Sequence, residues 1–171
     1  MEEPQVILVN DQDQVIGSIG KQAAHEEGAL HRAISVLLFN KKGEWLIHQR
    51  NPAKYHSGGL WTNTCCSHPS PGEESLPAAK RRLKEEMGIE VELQSAFQFK
   101  YLAKFDNGLT EHEYDHVFFG EFDGKPWPDP DEVSDWKWIS WKELEFDLEV
   151  HPEKYTVWFH LIVDKKVELG L

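Results

Sequence analysis

Three histidines and two glutamates of this chain have side chains of the kinds that together bind a transition metal ion. His25, His31 and His68 lie in predicted loops or at the starts of predicted strands. Glu111 and Glu113 are two residues apart at the start of another predicted strand, so their side chains lie on one face of it. A metal site forms if these segments meet in the fold, which spacing alone does not show.

Solvated or packed histidines are the simpler interpretation of nine histidines in one chain, and spacing alone favours it. His25 and His31 converge on one ion only if residues 26–30 form a loop that brings them together. We assign the ordinary role to the histidines outside the candidate set, which are His48, His56, His112, His116, His151 and His160.

Two adjacent cysteines, Cys65 and Cys66, lie in a turn-rich segment next to His68. A thiol in this position can act as an acid, a base or a nucleophile, and a buried structural thiol is the alternative. If the segment is extended, neighbouring side chains point in opposite directions, so at most one thiol faces a site. Adjacent cysteines rarely form a disulfide, and free thiols are typical of the reducing cytosol.

A predicted helix carries the adjacent acids Glu85 and Glu86. Neighbouring residues of a helix differ by about 100° around its axis, so one acid can face a site while the other points elsewhere. A carboxylate so placed suits magnesium, which also binds phosphate oxygens. The alternative is a solvated face with pairs such as Arg81 and Glu85.

The net charge of −12 means that an anionic substrate needs a local basic cluster. Lys21, Arg50, Lys54 and Arg82 are the candidates, because guanidinium and ammonium groups suit phosphate. Ordinary surface charge is the alternative for each of them. So acidic a chain is a poor nucleic-acid binder, since phosphate neutralisation needs clustered lysine and arginine.

The elements that must position these residues form a mixed sheet with few helices. We predict an α+β or α-β-α sandwich fold, as one domain over residues 1–171. A helix follows Pro71-Gly72 and ends at Gly88, and a last helix spans Pro152 to Val167. The predicted strands are Gln5 to Val9, Ala33 to Phe39, Trp45 to His48, Glu90 to Leu93, Ala96 to Lys104, Glu113 to Phe122 and Trp136 to Ile139.

The N-terminal segment MEEPQVILVNDQDQ opens with acids and lacks the basic and apolar parts of a signal peptide. No apolar stretch approaches the length of a membrane span. We therefore expect a cytoplasmic protein with neither a membrane nor a nucleic acid as its partner.

The predicted helix and the segment before it resemble the Nudix box, G-x5-E-x7-R-E-U-x-E-E-x-G-U. Glu73 and the stretch RRLKEEMGI (81–89) match its later positions, with two departures. Ser67 stands where the first glycine belongs, and Arg82 stands where the box has the glutamate that usually binds the catalytic metal. The loss of that glutamate argues against a hydrolase and for a Nudix fold adapted to another reaction.

The stretch WTNTCCSHP (61–69) resembles the active-site signature of type I isopentenyl diphosphate isomerases, and so does TEHEY (110–114). The segments KQAAH (21–25) and LHR (30–32) are similar to the same family in order and spacing. The resemblance extends from about Val6 to Trp158, which is nearly the whole chain.

This resemblance implies roles for the candidate residues. Cys66 resembles the essential thiol of the family, and Cys65 its non-catalytic neighbour. Glu113 and Tyr101 resemble the acid/base pair across the substrate from that thiol. The residues that resemble the metal ligands are His25, His31, His68, Glu111 and Glu113.

It also implies how a prenyl diphosphate is held. Glu86 resembles the helix carboxylate near a diphosphate-bound Mg²⁺, and Trp158 resembles an aromatic residue that closes over the hydrocarbon. Arg82 would then be a former metal ligand that has become an anion ligand. The residues that resemble the diphosphate contacts are Lys21, Arg50, Lys54 and Arg82.

The implied activity is the interconversion of isopentenyl and dimethylallyl diphosphate by proton transfers through a carbocation, which supplies isoprenoid precursors. The implied cofactors are Mg²⁺ at Glu86 and Mn²⁺ or Zn²⁺ (or Mg²⁺) at the histidine site, without flavin. The substrate is a small-molecule prenyl diphosphate, and the family precedent is a monomer. The alternatives are a Nudix pyrophosphohydrolase, which Arg82 argues against, and a non-catalytic binding protein, which Cys66, Glu113 and Tyr101 argue against.

Overall fold

Alternation between buried and exposed residues builds the two longest strands, β7 (Gln94–Lys104) and β8 (Thr110–Glu121). This pattern is expected for strands that have one face on a core. The computed structural model describes residues 2–170, and β7 and β8 belong to its nine-stranded mixed sheet. The other strands are β1 (Gln5–Val9), β2 (Val15–Gly20), β3 (His31–Phe39), β4 (Trp45–Arg50), β5 (Trp61–Thr62), β6 (Cys65–Ser67) and β9 (Val133–Ile139).

Strand β3 lies in the middle of the sheet. It is parallel to β8 and antiparallel to β1, β4 and β6. Its pairing with β4 involves only Leu38 and Phe39, while β6 pairs with it at residues 34–36. The strands β3 and β4 therefore diverge, and the short β6 lies beside β3 where β4 has left it.

Apolar residues on both faces of the sheet form two cores. Val36 of β3 packs in one core with Leu83 and Met87 of the helix α2 (Ser75–Met87). The next residue, Leu37, packs on the opposite face with Phe159 of α4 (Val157–Asp164). The remaining helices are α1 (Lys21–Glu27) and α3 (Trp141–Val150). Helices on both faces of a mixed sheet confirm the predicted α-β-α fold class.

Helix α2 matters to the site because it carries Arg82 and Glu86. It ends at Gly88, which has left-handed backbone geometry with φ +66° and donates its N–H to the carbonyl of Lys84. The backbone N–H groups of Trp127 and Asp129 donate to the last carbonyls of the helix. The C-terminal end of α2 is thereby fixed against the segment that leads into β9.

The structure corrects two predicted elements. The segment Glu90 to Leu93 is not a strand, because within the described chain the β7–β8 ladder begins only where Gln94 meets Phe119. The predicted helix Pro152 to Val167 is interrupted. A 3-10 turn at Pro152–Lys154 precedes α4, and a second one follows it at Lys166–Leu169.

The interruption before α4 has a local cause. The backbone of Thr156 is extended, and its hydroxyl accepts the N–H of Phe159 at 3.3 Å, so a new helix begins there. The elements that the sequence reasoning did not predict are β2, α1, α3 and the short strands β5 and β6.

Among residues 2–170, no helix combines the length and the apolar character needed to cross a membrane.

The substitution Gly88→Ala should destabilise the fold beyond ordinary left-handed strain, which costs about 1–2 kcal/mol. A Cβ atom at Gly88 would lie 2.6 Å from the carbonyl oxygen of Trp127. Gly43 is a matched control, since it has φ +76° and no atom within 4 Å of a built Cβ. Urea denaturation should show a larger loss of unfolding free energy in Gly88→Ala than in Gly43→Ala, and equal losses would contradict this account.

Candidate active site

Strand β8 presents Glu111 and Glu113 on its buried face, with only 3% and 6% of these residues exposed. Glu113 lies opposite His31 of β3 in the parallel register and opposite Tyr101 of β7 in the antiparallel register. Three adjacent strands therefore place an imidazole, a carboxylate and a phenol in one row.

The five predicted metal ligands come together. One donor atom from each of His25, His31, His68, Glu111 and Glu113 lies within 4.8 Å of all the others. The expectation that His25 lies in a loop or at a strand start is wrong, since it lies on α1. That helix ends at Gly28 in left-handed geometry (φ +69°), and the chain then returns to His31 at the start of β3.

Backbone carbonyls fix the ring orientation of two of these histidines. The Nδ1 of His25 lies 2.7 Å from the carbonyl oxygen of Lys21, and the Nδ1 of His31 lies 2.9 Å from that of Ala29. A carbonyl only accepts, so each Nδ1 carries the hydrogen, and a neutral ring presents its Nε2 lone pair to the cluster. Carbonyl-anchored imidazoles of this kind are typical of metal ligands.

The oxygen atoms of the cluster also fit a cation. The Nε2 atoms of His25 and His31 face carboxylate oxygens of Glu111 and Glu113 at 2.9 and 3.2 Å. A lone pair facing a carboxylate is repulsive unless a proton or a metal ion lies between them. The Oε2 atom of Glu111 is buried and has no hydrogen-bond partner among residues 2–170. Nitrogen and oxygen donors with one unpaired buried oxygen make this cluster suitable for a divalent metal.

The electrostatics favour an ionised carboxylate at Glu113 and a neutral imidazole at His68. Burial lowers the pKa of His68 to about 4, so its ring is neutral near pH 7. Burial alone would raise the pKa of Glu113, but hydrogen bonds from His31 in its protonated form and from His68 hold that pKa well below its usual range. The phenol of Tyr101 also donates to Glu113, and burial raises the pKa of Tyr101 well above its ordinary value.

His56, which the sequence reasoning assigned to the ordinary histidines, also lies in this pocket. Its Nε2 atom lies 2.6 Å from Oε1 of Glu111, and its ring lines the same pocket as the metal cluster. The sequence offered one signal, which is its position five residues before Trp61 in the segment that contains Lys54. The remaining five histidines lie outside the pocket lining.

The two thiols point in opposite directions, as an extended segment predicts. Cys65 is fully buried in the core beneath α2, where its thiol lies 3.3 Å from Oε2 of Glu86. Cys66 lies opposite Ser35 of β3 and lines the pocket. Burial raises the pKa of Cys66 to about 12, although the guanidinium of Arg50, 4.0 Å from its sulfur, opposes that rise. Both cysteines are free thiols.

The predicted basic cluster converges on the same pocket, which Lys21, Arg50, Lys54 and Arg82 all line. Carboxylates already engage two of these cations. Lys54 forms an ion pair with Glu132, a pocket residue that the sequence reasoning did not single out. Arg82 donates to Ser67 at 2.8 Å and to Glu86 at 2.6 Å.

The adjacent acids of α2 separate as the helical geometry predicts. Glu86 lines the pocket and its side chain is 6% exposed, whereas the side chain of Glu85 is 46% exposed. Burial raises the pKa of Glu86, against the attraction of Arg82. Arg81 forms the predicted helical pair with Glu85 at 3.3 Å and a closer pair with Glu73 at 2.8 Å.

An aromatic wall closes one side of the pocket. Trp158 of α4 is 4% exposed and lines the pocket, and the guanidinium of Arg50 lies 5.2 Å from the centre of its ring. In the part of the chain that the structure describes, the buried Nε1 of Trp158 has no hydrogen-bond partner. The pocket therefore joins residues of the histidine–glutamate cluster, a thiol, the four basic side chains and the aromatic ring of Trp158.

Residues 29–159 match the family model described as NUDIX domain. The chain belongs to the class of proteins that contain a NUDIX domain. Solved structures agree. DR0079 from Deinococcus radiodurans has a TM-score of 0.72 at 22% identity, over 86% of this chain and 90% of that one. The MutT protein of Methanosarcina mazei Go1 has a TM-score of 0.67 at 20% identity, over 82% and 95%. At these identities the likeness shows the fold alone.

Closer relatives share sequence over nearly the whole chain. Isopentenyl-diphosphate Delta-isomerase 2 of Aromatoleum aromaticum is 53% identical over 96% of this chain and 87% of its own length. Isopentenyl-diphosphate Delta-isomerase of Pectobacterium atrosepticum is 50% identical over 92% and 88%. The chain therefore belongs to the isopentenyl-diphosphate Delta-isomerase family of Nudix domain proteins, which confirms the predicted resemblance.

Removing one ligand should weaken metal binding more than the roughly 10–100-fold typical of outer-shell partners. We expect this result for His31→Gln and for Glu111→Gln, measured by competition between the protein and a chelator for Zn²⁺ or Mn²⁺. His116→Gln is the control, because His116 lies on β8 with Glu111 but forms its hydrogen bond with Asp13, outside the cluster. Equal affinities in all three variants would contradict the assigned site.

Alkylation of Cys66 in the metal-free protein should rise with pH without a plateau below about pH 10. Its raised pKa leaves the reactive thiolate a minor species there, and each pH unit should increase the rate about tenfold. Peptide mapping after iodoacetamide treatment measures the rate, and the fully buried Cys65 should stay unmodified. A plateau near pH 8 would mean that the thiolate already predominates.

Proposed function

We propose that this chain interconverts isopentenyl diphosphate and dimethylallyl diphosphate, the activity named by its relatives. The single observation that carries the mechanism is the placement of two proton-handling groups in one pocket. Cys66 of β6 lies on one side of β3, and Glu113 of β8 lies on the other, hydrogen-bonded to Tyr101.

The reaction requires two such groups. The alkene of isopentenyl diphosphate is unactivated, so its terminal carbon must gain a proton to form a tertiary carbocation. The cation then loses a different proton from C2, and the double bond has moved with no net change in composition. General acid–base groups placed at both carbons supply these steps.

The protonation states of the protein define a direction. A protonated Cys66 and an ionised Glu113 can add a proton at C2 and remove one from a methyl group, which converts dimethylallyl to isopentenyl diphosphate. The opposite direction starts from a thiolate at Cys66 and a proton on the Glu113–Tyr101 pair. Conversion in either direction leaves Cys66 and Glu113 in the protonation states that the opposite conversion requires.

The metal-binding cluster would hold Mn²⁺ or Zn²⁺, or else Mg²⁺, through His25, His31, His68, Glu111 and Glu113. A bound ion supplies Lewis acidity that makes a nearby proton donor more acidic. Tyr101 is such a donor, since its hydroxyl bonds to the carboxylate of Glu113. A second ion, Mg²⁺, would accompany the diphosphate beside Glu86.

The pocket residues also provide for the two ends of the substrate. Lys21, Arg50, Lys54 and Arg82 would bind the diphosphate, and the ion pair between Lys54 and Glu132 would have to open for that contact. Trp158 would cover the hydrocarbon, where an aromatic face stabilises a cation and excludes water. We expect a monomeric cytoplasmic enzyme of isoprenoid precursor supply.

Incubation with isopentenyl diphosphate tests the function directly. Nuclear magnetic resonance should show dimethylallyl diphosphate, and added chelator should abolish its formation. Release of inorganic phosphate instead would support a hydrolase, although Arg82 occupies the position of a Nudix metal ligand. Metal binding with neither product would support a non-catalytic binding protein.

The substitutions Cys66→Ala and Cys65→Ser should separate the two thiols. Loss of an acid–base group costs about 10²–10⁴-fold in turnover, and we expect this loss for Cys66→Ala. Cys65→Ser keeps a hydrogen-bond donor toward Glu86 and should retain most of the activity. Steady-state kinetics on folded variants measure both effects, and equal losses would refute the assignment of Cys66.

A further inference from the structure

We propose that His56 is a positioning residue that holds Glu111 in place for metal binding and joins the metal cluster to the aromatic wall. The inference rests on the proposed function only in taking the histidine–glutamate cluster as a metal site. It concerns a residue outside the five clustered donor atoms.

Two hydrogen bonds indicate which ring nitrogen of His56 carries the hydrogen. An ionised carboxylate only accepts, so the Nε2 of His56 donates to Oε1 of Glu111 at 2.6 Å. In a neutral ring Nδ1 then carries the lone pair, which accepts the hydroxyl of Ser57 at 3.2 Å. Glu111 thus selects the ring form that has its hydrogen directed at the carboxylate, and donation by Ser57 to Nδ1 stabilises that form.

The two oxygens of Glu111 consequently have different surroundings. Oε1 is within hydrogen-bond distance of both His25 and His56, whereas the buried Oε2 has no partner among the described residues. The contact with His56 opposes rotation of the carboxylate and keeps Oε2 available to a cation. Groups that orient a ligating carboxylate in this way commonly contribute to metal affinity.

The ring of His56 is itself held by aromatic neighbours. It stacks on Phe105, with the ring centres 5.0 Å apart and the planes 9° apart, and it meets Trp158 edge to face at 6.0 Å. The carbonyl of His56 also accepts a hydrogen bond from Arg50 at 3.3 Å. One residue therefore touches a metal ligand, the aromatic wall and a member of the basic cluster.

The backbone around His56 is anchored from both ends. The side chain of Asn107 donates to the carbonyl of Tyr55 at 2.9 Å, and the backbone of Arg50 bonds to those of Gly59 and Leu60. Ser57 has left-handed geometry with φ +54°, which is uncommon for a residue other than glycine. Such strain persists where the surrounding structure fixes it, often at functional sites.

Two substitutions separate the hydrogen bond from the ring contacts. His56→Phe keeps an aromatic ring beside Phe105 and Trp158 but removes the N–H group, whereas His56→Gln keeps an N–H group that can reach Glu111. The affinity for Zn²⁺ or Mn²⁺ is measured by chelator competition, and the melting temperature of the metal-free protein is measured in parallel.

We expect His56→Phe to weaken metal binding about 10–100-fold, and to lower the melting temperature of the metal-free protein because Glu111 loses a donor while the fold is kept. His56→Gln should lie within a few-fold of the unsubstituted protein. Unchanged affinity in His56→Phe, or equal losses in both variants, would overturn the proposal.

If His56→Phe does not fold, Ser57→Gly tests the same hydrogen bonds, since glycine accepts φ +54° without strain and lacks the hydroxyl. A few-fold weaker metal affinity there would support the proposal, and no change would overturn it.

Metal affinity is independent of isomerisation, so the two claims can fail separately. A protein that binds metal and responds to His56→Phe but yields no isomer would keep this inference and lose the proposed function. An active isomerase whose metal affinity is unchanged in His56→Phe would keep the proposed function and lose this inference.

Discussion

The burial of two carboxylates two residues apart on one strand is the constraint around which this site is arranged. Removing an ionised carboxylate from water costs several kcal/mol unless cations or hydrogen-bond donors compensate for it, and two like charges together raise that cost. His56, His68 and Tyr101 can donate hydrogen bonds to Glu111 and Glu113. His25 and His31 compensate them only when a proton or a metal ion lies on Nε2. A bound cation would complete the balance, because one oxygen of Glu111 has no other partner within residues 2–170.

Strand β3 converts this local balance into a reactive arrangement. Its parallel register with β8 sets His31 beside Glu113, and its antiparallel register with β6 sets Ser35 beside Cys66. The thiol and the carboxylate therefore flank the same strand within one pocket. Helix α2 adds Arg82 and Glu86 from one face of the sheet, and α4 adds Trp158 from the other. Burial is here the source of the raised pKa of Cys66, whereas hydrogen bonds with His31 and His68 outweigh burial and lower the pKa of Glu113.

Local rules of strand and helix geometry predicted much of this arrangement. The site residues that they missed reach the site through contacts between distant parts of the chain. Strand alternation placed Glu111 with Glu113 and separated Cys65 from Cys66, and helical rotation separated Glu85 from Glu86. The seven-residue α1 follows Gly20, which has no side chain to cap it, so little in the local sequence marked it. Helix α3 does carry a signal, the capping box of Ser140 and Glu143, which went unused. His56 and Glu132 reach the site through contacts with residues 55 and 78 positions away, and no periodicity reports such contacts.

The origin of the transferred proton tests the account most directly. If Cys66 and the Glu113–Tyr101 pair act at different carbons, the proton added is not the proton removed, and both groups exchange with water when the site opens. Isomerisation in deuterium oxide, stopped at low conversion and followed by mass spectrometry, should place about one deuterium per turnover in the new methyl group. Recovered isopentenyl diphosphate should gain deuterium at C2 through the reverse reaction. Unlabelled early product would show an internal transfer by a single group and would contradict separate acid and base roles for Cys66 and Glu113.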